Sequence, residues 1–462
     1  MLATVIAAVS TPPGKGGVAV IRVSGEGAFD IIERVFLPRS GKGIYDYPTR
    51  HQIYGDVVFE GERLDDGMLT LFKSPASYTG EDTAELSIHG GTLITRRVLE
   101  ALFALGARPA EAGEFTRRAF INGKLSLTEA EAIGILLEAR SDEQIRLASS
   151  TARARLNEKI ADVRREVTDL LSSMYARIDY PDEDLGDFTN EESIDRLKKI
   201  KSALKSLMST YRTGKAINEG VDTVICGKPN VGKSTLYNLI FGEERAIVTD
   251  VEGTTRDILS GQIPLGRVLL NVYDTAGIRS YDEAERVEQI GIERARKRAR
   301  ECELLLCVFD SSRALNADDE EILALASESR AERVAIINKC DLDSHFDESR
   351  LDKIFDTVLH VSARDNESET VKALTETVER LFTDEKISAS DDAIVATARQ
   401  NARLLSAHSL ISSALLAFEC GVTQDAASSD VELALGEIGE LDGRGVSEQV
   451  VADIFSKFCV GK

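Results

Sequence analysis

Three observations predict a multidomain chain with an α+β N-terminal domain, an all-α central helical domain, and an α/β phosphate-loop domain inserted into the helical one. Short β-like runs give way to long helix-periodic sequence after Lys124. A glycine-rich GKPNVGKST follows an apolar run of strand length, at residues 227–235. Helix-periodic sequence returns after residue 384, so helices flank the alternating strand-and-helix section on both sides. Insertion is feasible because the ends of such a module normally lie close together. The expected division is 1–122, 123–216, 217–384 and 385–462, with the second and fourth segments forming one helical domain.

The elements follow in order. In the first segment VAVIRVSG, YGDVVF, DDGMLTLF and TAELSIHGG are short runs of β character, and they mark strands of a compact α+β fold. The opening MLATVIAAVS is a short apolar run without a basic leader, ended by proline and glycine far short of the roughly 20 residues of a membrane span. After Lys124, SLTEAEAIGILLEAR places Ser126 three residues before Glu129, a capping box in which each side chain satisfies the other's backbone N–H. Helix is expected from there to about Asp179, with a second cap signal at Ser141 and Gln144. YPDEDLGD reads as a solvated acidic loop, and ESIDRLKKIKSALKSLMSTYR as a further helix leading to Gly214.

From about 220 to 384, VDTVICG, VLLNVYD, LLLCVFD, RVAIINK and VLHVSA are apolar runs of strand length, most of them ending at a polar motif. Such runs suit a mostly parallel sheet covered on both faces, with functional groups at the carboxyl ends of its strands. DAIVATARQNARLLSAHSLISSALLAFE and VELALGEIGEL then return to helix.

Composition narrows the function. Against 56 basic residues stand 78 acidic ones, a net charge of -22 over 462 residues, so the chain as a whole repels polyanions. Contact with nucleic acid must be local or shared with a partner. The six cysteines, Cys226, Cys302, Cys307, Cys340, Cys420 and Cys459, form no CxxC, as expected of free thiols in a reducing, cytoplasmic setting. Five histidines without ligand spacing argue against a zinc site, and His89 in SIHGG is expected to be a hydrogen-bonded structural residue.

GKPNVGKST matches GxxxxGKS in the required strand-to-helix context, where successive backbone N–H groups converge on phosphate. Gly227 and Gly232 permit the turn, Lys233 reaches the outer phosphates, and the Ser234 hydroxyl suits magnesium. DTAG, Asp274 to Gly277, closes another apolar run, with Asp274 near the magnesium shell and the Gly277 N–H placed to sense the γ-phosphate. Between them lies GTTRD, which offers a threonine to the metal. NKCD, Asn338 to Asp341, sets the base. An ionised Asp341 only accepts hydrogen bonds, and guanine presents two donors where adenine turns a ring-nitrogen lone pair toward the carboxylate. SAR at 362–364 resembles the last guanine-contacting loop of GTPases. The expected ligand is GTP rather than ATP.

Hydrolysis needs an oriented water and a cation on the transition state. Where many small GTPases carry a glutamine after DxxG, this chain has Ile278. The polar group could come from Glu283, Glu285 or Glu288 in DEAERVEQIGIERA, and the cation from Arg256 or Arg279; spacing alone leaves both choices open.

The segments TPPGKGGVAVIRVSG, TGEDTAELSIHGG, GEFTRRAFINGKLSL, GKPNVGKST, AIVTDVEGTTRD, DTAGIR, VEQIGIERA and the terminal FCVGK closely resemble the MnmE (TrmE) family of tRNA-modification GTPases, of the TrmE-Era-EngA-YihA-Septin-like class, over nearly the whole chain. The resemblance implies a folate-binding and dimerising N-terminal domain, a helical domain and an inserted G domain. It implies GTP contacts from Asn230, Val231, Gly232, Lys233, Ser234 and Thr235 in the phosphate loop, and from Thr249, Asp250, Val251, Thr254 and Thr255 in the switch segment. Further contacts would come from Asp274, Thr275, Ala276 and Gly277, and around the base from Asn338, Lys339, Asp341, Ser362, Ala363 and Arg364. Ser234 and Thr255 would hold magnesium. Asn230, Thr249, Val251 and Thr254 would hold a potassium ion in place of an arginine finger, activating hydrolysis when G domains dimerise. Glu288 would orient the water.

Arg22, Glu85, Lys124 and the terminal Lys462 match the family's positions for a formylated tetrahydrofolate. The same resemblance implies a homodimer and a partner, MnmG (GidA), that carries FAD, uses NADH and forms a heterotetramer with it. Together they install an aminomethyl or carboxymethylaminomethyl group on the five position of the tRNA wobble uridine, with a one-carbon unit from methylene-tetrahydrofolate. Cys459 is left with two readings, a nucleophile beside the one-carbon donor if its pKa is lowered, or a residue that simply packs; a prenylation box is excluded by Gly461 and Lys462. A second class of function, a GTP-dependent assembly or signalling switch without covalent RNA chemistry, fits the G domain equally. It is disfavoured by the lack of a basic GXXG clamp or clustered aromatic platforms.

Overall fold

The computed structural model describes residues 4–152, 154–179, 190–245, 259–273, 297–422 and 424–462. The chain forms two compact units, Met1–Leu137 with Ile438–Lys462, and Glu138–Glu437.

The first unit is built on a seven-stranded sheet of order β3-β4-β5-β6-β2-β1-β7. Its strands are β1 (Ile6–Val9), β2 (Val18–Ser24), β3 (Phe36–Pro38), β4 (Gln52–Phe59), β5 (Glu62–Phe72), β6 (Thr83–His89) and β7 (Arg108–Pro109). Neighbours are antiparallel except β1 and β7. Strand alternation does the sorting. Ala19, Ile21 and Val23 of β2 with Ala84, Leu86 and Ile88 of β6 pack under helices α1 (Ala28–Glu33) and α2 (Thr92–Ala104). The intervening Arg22 and Glu85, register partners, lie on the other face. The four strands expected from sequence are present. The strand β1 was visible only as an apolar run because it shows no polar alternation: Ile6 and Ala8 pack with Phe115 while Ala7 faces the main core.

Two more helices, α3 (Glu114–Ile121) and α4 (Leu127–Glu138), extend this unit past residue 122. Leu127 and Ala130 of α4 cluster with Phe455 and Phe458 from the C-terminal end of the chain. The Ser126 cap forms as expected: Ser126 N donates to Glu129 Oε2 at 2.7 Å and Glu129 N to Ser126 Oγ at 3.2 Å.

The second unit opens with the sequence expected as continuous helix. It is broken twice: Ser141 caps α5 (Asp142–Ala152) through Gln144 N at 3.2 Å, as its cap signal suggested, and Ala154, at a left-handed φ of 62°, separates α5 from α6 (Arg155–Asp179). The acidic YPDEDLGD lies outside the described residues. Next come α7 (Asn190–Ser209) and α8 (Tyr211–Asn218). Gly214 sits within α8 rather than ending a helix. A Cβ there would lie 2.1 Å from Val395 O, so glycine is what lets α8 approach the returning chain.

A six-stranded sheet follows in the order β13-β12-β11-β8-β10-β9. Its strands are β8 (Val221–Cys226), β9 (Leu259–Leu265), β10 (Val268–Tyr273), β11 (Leu304–Asp310), β12 (Glu332–Asn338) and β13 (Thr357–His360). It is parallel except for the β9–β10 pair. Along β11, Leu304, Leu306 and Val308 face one core, and Leu305, Cys307 and Phe309 the other, so both faces are covered as expected. The edge strand β9 was not expected: LSGQIPL is poor in β formers, and Pro264 is tolerated because an edge strand needs fewer ladder donors. Helices α9 (Lys233–Arg245), α10 (Ala317–Glu328) and α11 (Glu367–Phe382) belong to this α/β section, and α12 (Ala398–Glu419) and α13 (Gln424–Asp442) resume the helical one.

The entry and exit of the inserted section are stitched together. Asp384 N donates to Thr213 Oγ1 and Val395 N to Thr210 Oγ1, both at 3.0 Å, and Asn218 Nδ2 to Ala396 O at 3.1 Å.

Candidate functional site

In the second unit, β8 runs out of the sheet into residues 227–232, and α9 begins at Lys233. The loop needs its glycines. Gly227 has φ 155° and a Cβ there would meet Val308 O at 2.6 Å; Gly232 has φ 103° and would meet Asn338 Nδ2 at 2.1 Å. Asn230 is also left-handed, at φ 65°. Lys233 Nζ lies across the loop, donating to Gly227 O at 2.6 Å and Lys228 O at 2.7 Å. Ser234 and Thr235 are exposed in the first turn of α9, where helix N–H groups and dipole favour an anion.

The carboxyl ends of the neighbouring parallel strands bring the residues expected to select the base to this loop. Asn338, at the end of β12, donates from Nδ2 to Val231 O at 2.8 Å and accepts at Oδ1 from Ala363 N at 3.0 Å. One buried side chain thus ties the phosphate loop to the 362–364 loop. Lys339, left-handed at φ 64°, donates to Asn230 O at 3.0 Å and to Asp310 Oδ2 at 2.6 Å. Burial pushes the Asp310 carboxyl up, but hydrogen bonds from Lys339 and Ser312 outweigh it and hold the group below the usual carboxylate range. Asp341 is exposed, and Ser362 Oγ donates to its Oδ1 at 2.6 Å, which lowers its pKa and keeps it an acceptor. Sequence reasoning missed Asp310 and Lys228. Asp310 had a signal, since it ends LLLCVFD as Asp274 ends VLLNVYD.

Thr249, Asp250, Val251, Thr254, Thr255, Asp274, Thr275, Ala276, Gly277 and Glu288 lie outside the described residues, as do Arg256 and Arg279. All six cysteines are free thiols. Cys226 and Cys307 sit Sγ to Sγ at 3.1 Å on adjacent strands, and burial pushes Cys302 up to about 12.

In the first unit, Arg22 and Glu85 form an ion pair across β2 and β6, with Nη2 and Oε1 2.8 Å apart. The Arg22 guanidinium lies 5.3 Å from the Tyr78 ring centroid and 5.5 Å from that of Phe115. Lys124 Nζ donates to Pro75 O at 3.0 Å, on the loop that also carries Tyr78, whose hydroxyl meets Thr116 Oγ1 at 2.9 Å. The Lys462 carbonyl accepts from Phe115 N at 3.2 Å. Each of the four residues matched to folate therefore touches the 75–78 loop, α3 or a neighbour of them. A cavity of about 760 Å³ elsewhere in this unit is lined by residues 11–16, Arg96, Leu99, Phe103 and Val460, and by none of those four.

The tail is tied down. Val460 bridges Ala112, Gly113 N donates to Cys459 O at 3.4 Å, and Ser10 Oγ donates to Gly461 O at 3.0 Å. Gly461 has φ 98° and a Cβ there would lie 2.1 Å from Val9 O. Cys459 is exposed. His89 pairs with Asp65, Nδ1 to Oδ1 at 2.7 Å, and that hydrogen bond raises its pKa. Asp66, beside them, is engaged by Tyr54 and Arg63. Among the described residues no helix is long and apolar enough to cross a membrane.

A mostly parallel sheet whose carboxyl ends gather a phosphate loop, an NKxD motif and the 362–364 loop is the fold of a phosphate-loop GTPase. A family model described as the GTP-binding protein TrmE N-terminus matches residues 5–124, and one for the MnmE helical domain matches residues 127–459. The tRNA modification GTPase MnmE of Clostridioides difficile is 36% identical over 99% of both chains, and that of Heliobacterium modesticaldum 37% identical over 100% of both. Among solved structures, Aquifex aeolicus Era bound to GDP and AlF4- is 23% identical, covering 41% of this chain and 66% of that one with a TM-score of 0.26. The chain belongs to the MnmE family of tRNA modification GTPases, and GTP with magnesium follows from that membership.

Proposed function

We propose that this protein is a potassium-activated GTPase of four segments, 1–122, 123–216, 217–384 and 385–462. With an FAD-dependent MnmG-type partner, it adds an aminomethyl or carboxymethylaminomethyl group to the five position of the tRNA wobble uridine. The observation that carries the GTP part is the meeting of Asn338, Lys339 and the 362–364 loop at the phosphate loop. On GTP binding, Lys233 exchanges the carbonyls of Gly227 and Lys228 for the outer phosphates. Ser234, with Thr255, holds magnesium. Asp341, fixed by Ser362, accepts both donors of the guanine edge. Asn230, with Thr249, Val251 and Thr254, holds potassium, and Glu288 orients the water.

The N-terminal assignment rests on donor chemistry. Arg22, Lys124 and Lys462 supply cations for folate carboxylates and oxygens, Glu85 an acceptor for pterin donors, and Tyr78 an exposed aromatic face beside Arg22. A tetrahydrofolate derivative bound there supplies the one-carbon unit, while FAD and NADH act on the partner. The proposed setting is cytoplasmic, with a homodimer joined by partner subunits in a heterotetramer.

Nucleoside analysis of tRNA from a deletion strain tests the modification: unmodified wobble uridines are expected, and unchanged ones refute it. The potassium reading has its own test. GTP turnover should rise when potassium replaces sodium, and Asn230→Ala should abolish the difference; equal rates in both salts contradict it.

A further inference from the structure

Lys228, the second residue of the phosphate loop, does not project into solvent. Its Nζ donates to Asp319 Oδ2 at 2.6 Å, and the two side chains are only 10% and 2% exposed. Lysine is rarely buried so far unless it is paired. The carboxylate is itself fixed: Asp319 Oδ2 also accepts from Asn316 N at 3.1 Å, and Asp319 N donates to Asn316 Oδ1 at 3.2 Å, a capping box at the first turn of α10.

We propose that Lys228 and Asp319 form a positioning pair that holds the first half of the phosphate loop in its nucleotide-binding shape, a role that rests on reading residues 227–235 as the GTP site. The second half is held separately, Asn230 O by Lys339 and Val231 O by Asn338. Among the described residues the first half is tied by Lys233 Nζ, to the Gly227 and Lys228 carbonyls, and by the Lys228–Asp319 pair. Lys233 leaves those carbonyls when it turns to phosphate. The pair then still ties the loop's opening residues to the capped start of α10. Because Asp319 engages the Lys228 ammonium, the lysine acts through backbone position and not by touching phosphate.

A double-mutant cycle on the full-length protein tests this, with a fluorescent GDP analogue as the probe. Lys228→Met and Asp319→Asn should each weaken GDP about tenfold through faster dissociation, and the double variant should be no weaker than the worse single one. The kcat for GTP at saturation should stay within about twofold, so the loss falls in KM. Lys228→Arg should restore affinity to within about threefold. If Asp319→Asn fails to fold, Lys228→Met against Lys228→Arg makes the same comparison without touching the cap. Unchanged dissociation, fully additive losses, or a fall in kcat with affinity intact would overturn the pair. Lys233→Ala separates the two readings: if it binds GDP as tightly as the parent, the site assignment itself has failed.

Discussion

At the scale of single residues, base choice and proton chemistry can be checked directly. Asp341 is held as an acceptor by Ser362. Asp341→Asn replaces one acceptor oxygen with a donor amide, which opposes the guanine amino group but suits xanthine, whose corresponding atom is an oxygen. GTP affinity should fall by about 10²-fold or more while xanthosine triphosphate gains, as measured by competition against labelled GDP. A uniform loss for both bases would make Asp341 structural. His89 gives a pH prediction. Its pKa is raised by Asp65, so the pair's contribution is fully present below the ordinary histidine pKa and is lost as pH rises through the higher folded value. An NMR titration should place the His89 midpoint above about 6.5, and Asp65→Asn should lower it; a midpoint already at or below that value contradicts the pairing.

At the scale of elements, the sequence showed what its local pattern encodes and hid what tertiary context decides. The phosphate loop, NKCD and the parallel strands that end at them are local patterns, and they were legible together. The edge strand β9 was hidden because its β-poor residues are held by pairing with β10. Likewise α8 runs through Gly214 because the returning chain passes close to it, a long-range fact with no local signal. Lys228 was invisible as a buried charge because its partner lies in another element, α10. The tail was legible only through family resemblance, and its geometry makes a prediction. Gly461→Val forces a side chain at φ 98° against Val9 O, at a cost of about 1–3 kcal/mol for the backbone alone. Binding of 5-formyltetrahydrofolate should weaken while GTP turnover is retained; unaffected folate binding would separate the tail from that site.

For the whole molecule, charge sets the terms of contact with RNA. A chain at -22 has little to offer a polyanion, whose affinity for proteins comes largely from neutralised phosphates. Filter binding of tRNA at physiological salt should show weak retention by this protein alone and strong retention once the proposed MnmG-type partner is added; tight binding by this protein alone would show that this chain carries the RNA surface itself. The stitching of Thr210, Thr213 and Asn218 to Asp384, Val395 and Ala396 ties the entry and exit of the inserted section to each other.

The anchored tail also bears on how the protein is made. Val460 and Gly461 reach far back along the chain, Val460 to a β-bridge with Ala112 and Gly461 to the Ser10 hydroxyl 451 residues away. Domains generally fold as they emerge, N-terminal first, but this one lacks both contacts until residues 460 and 461 have been made. Cutting the chain before Val460 would remove both contacts together, leaving the phosphate loop and NKCD joined to an incomplete N-terminal domain.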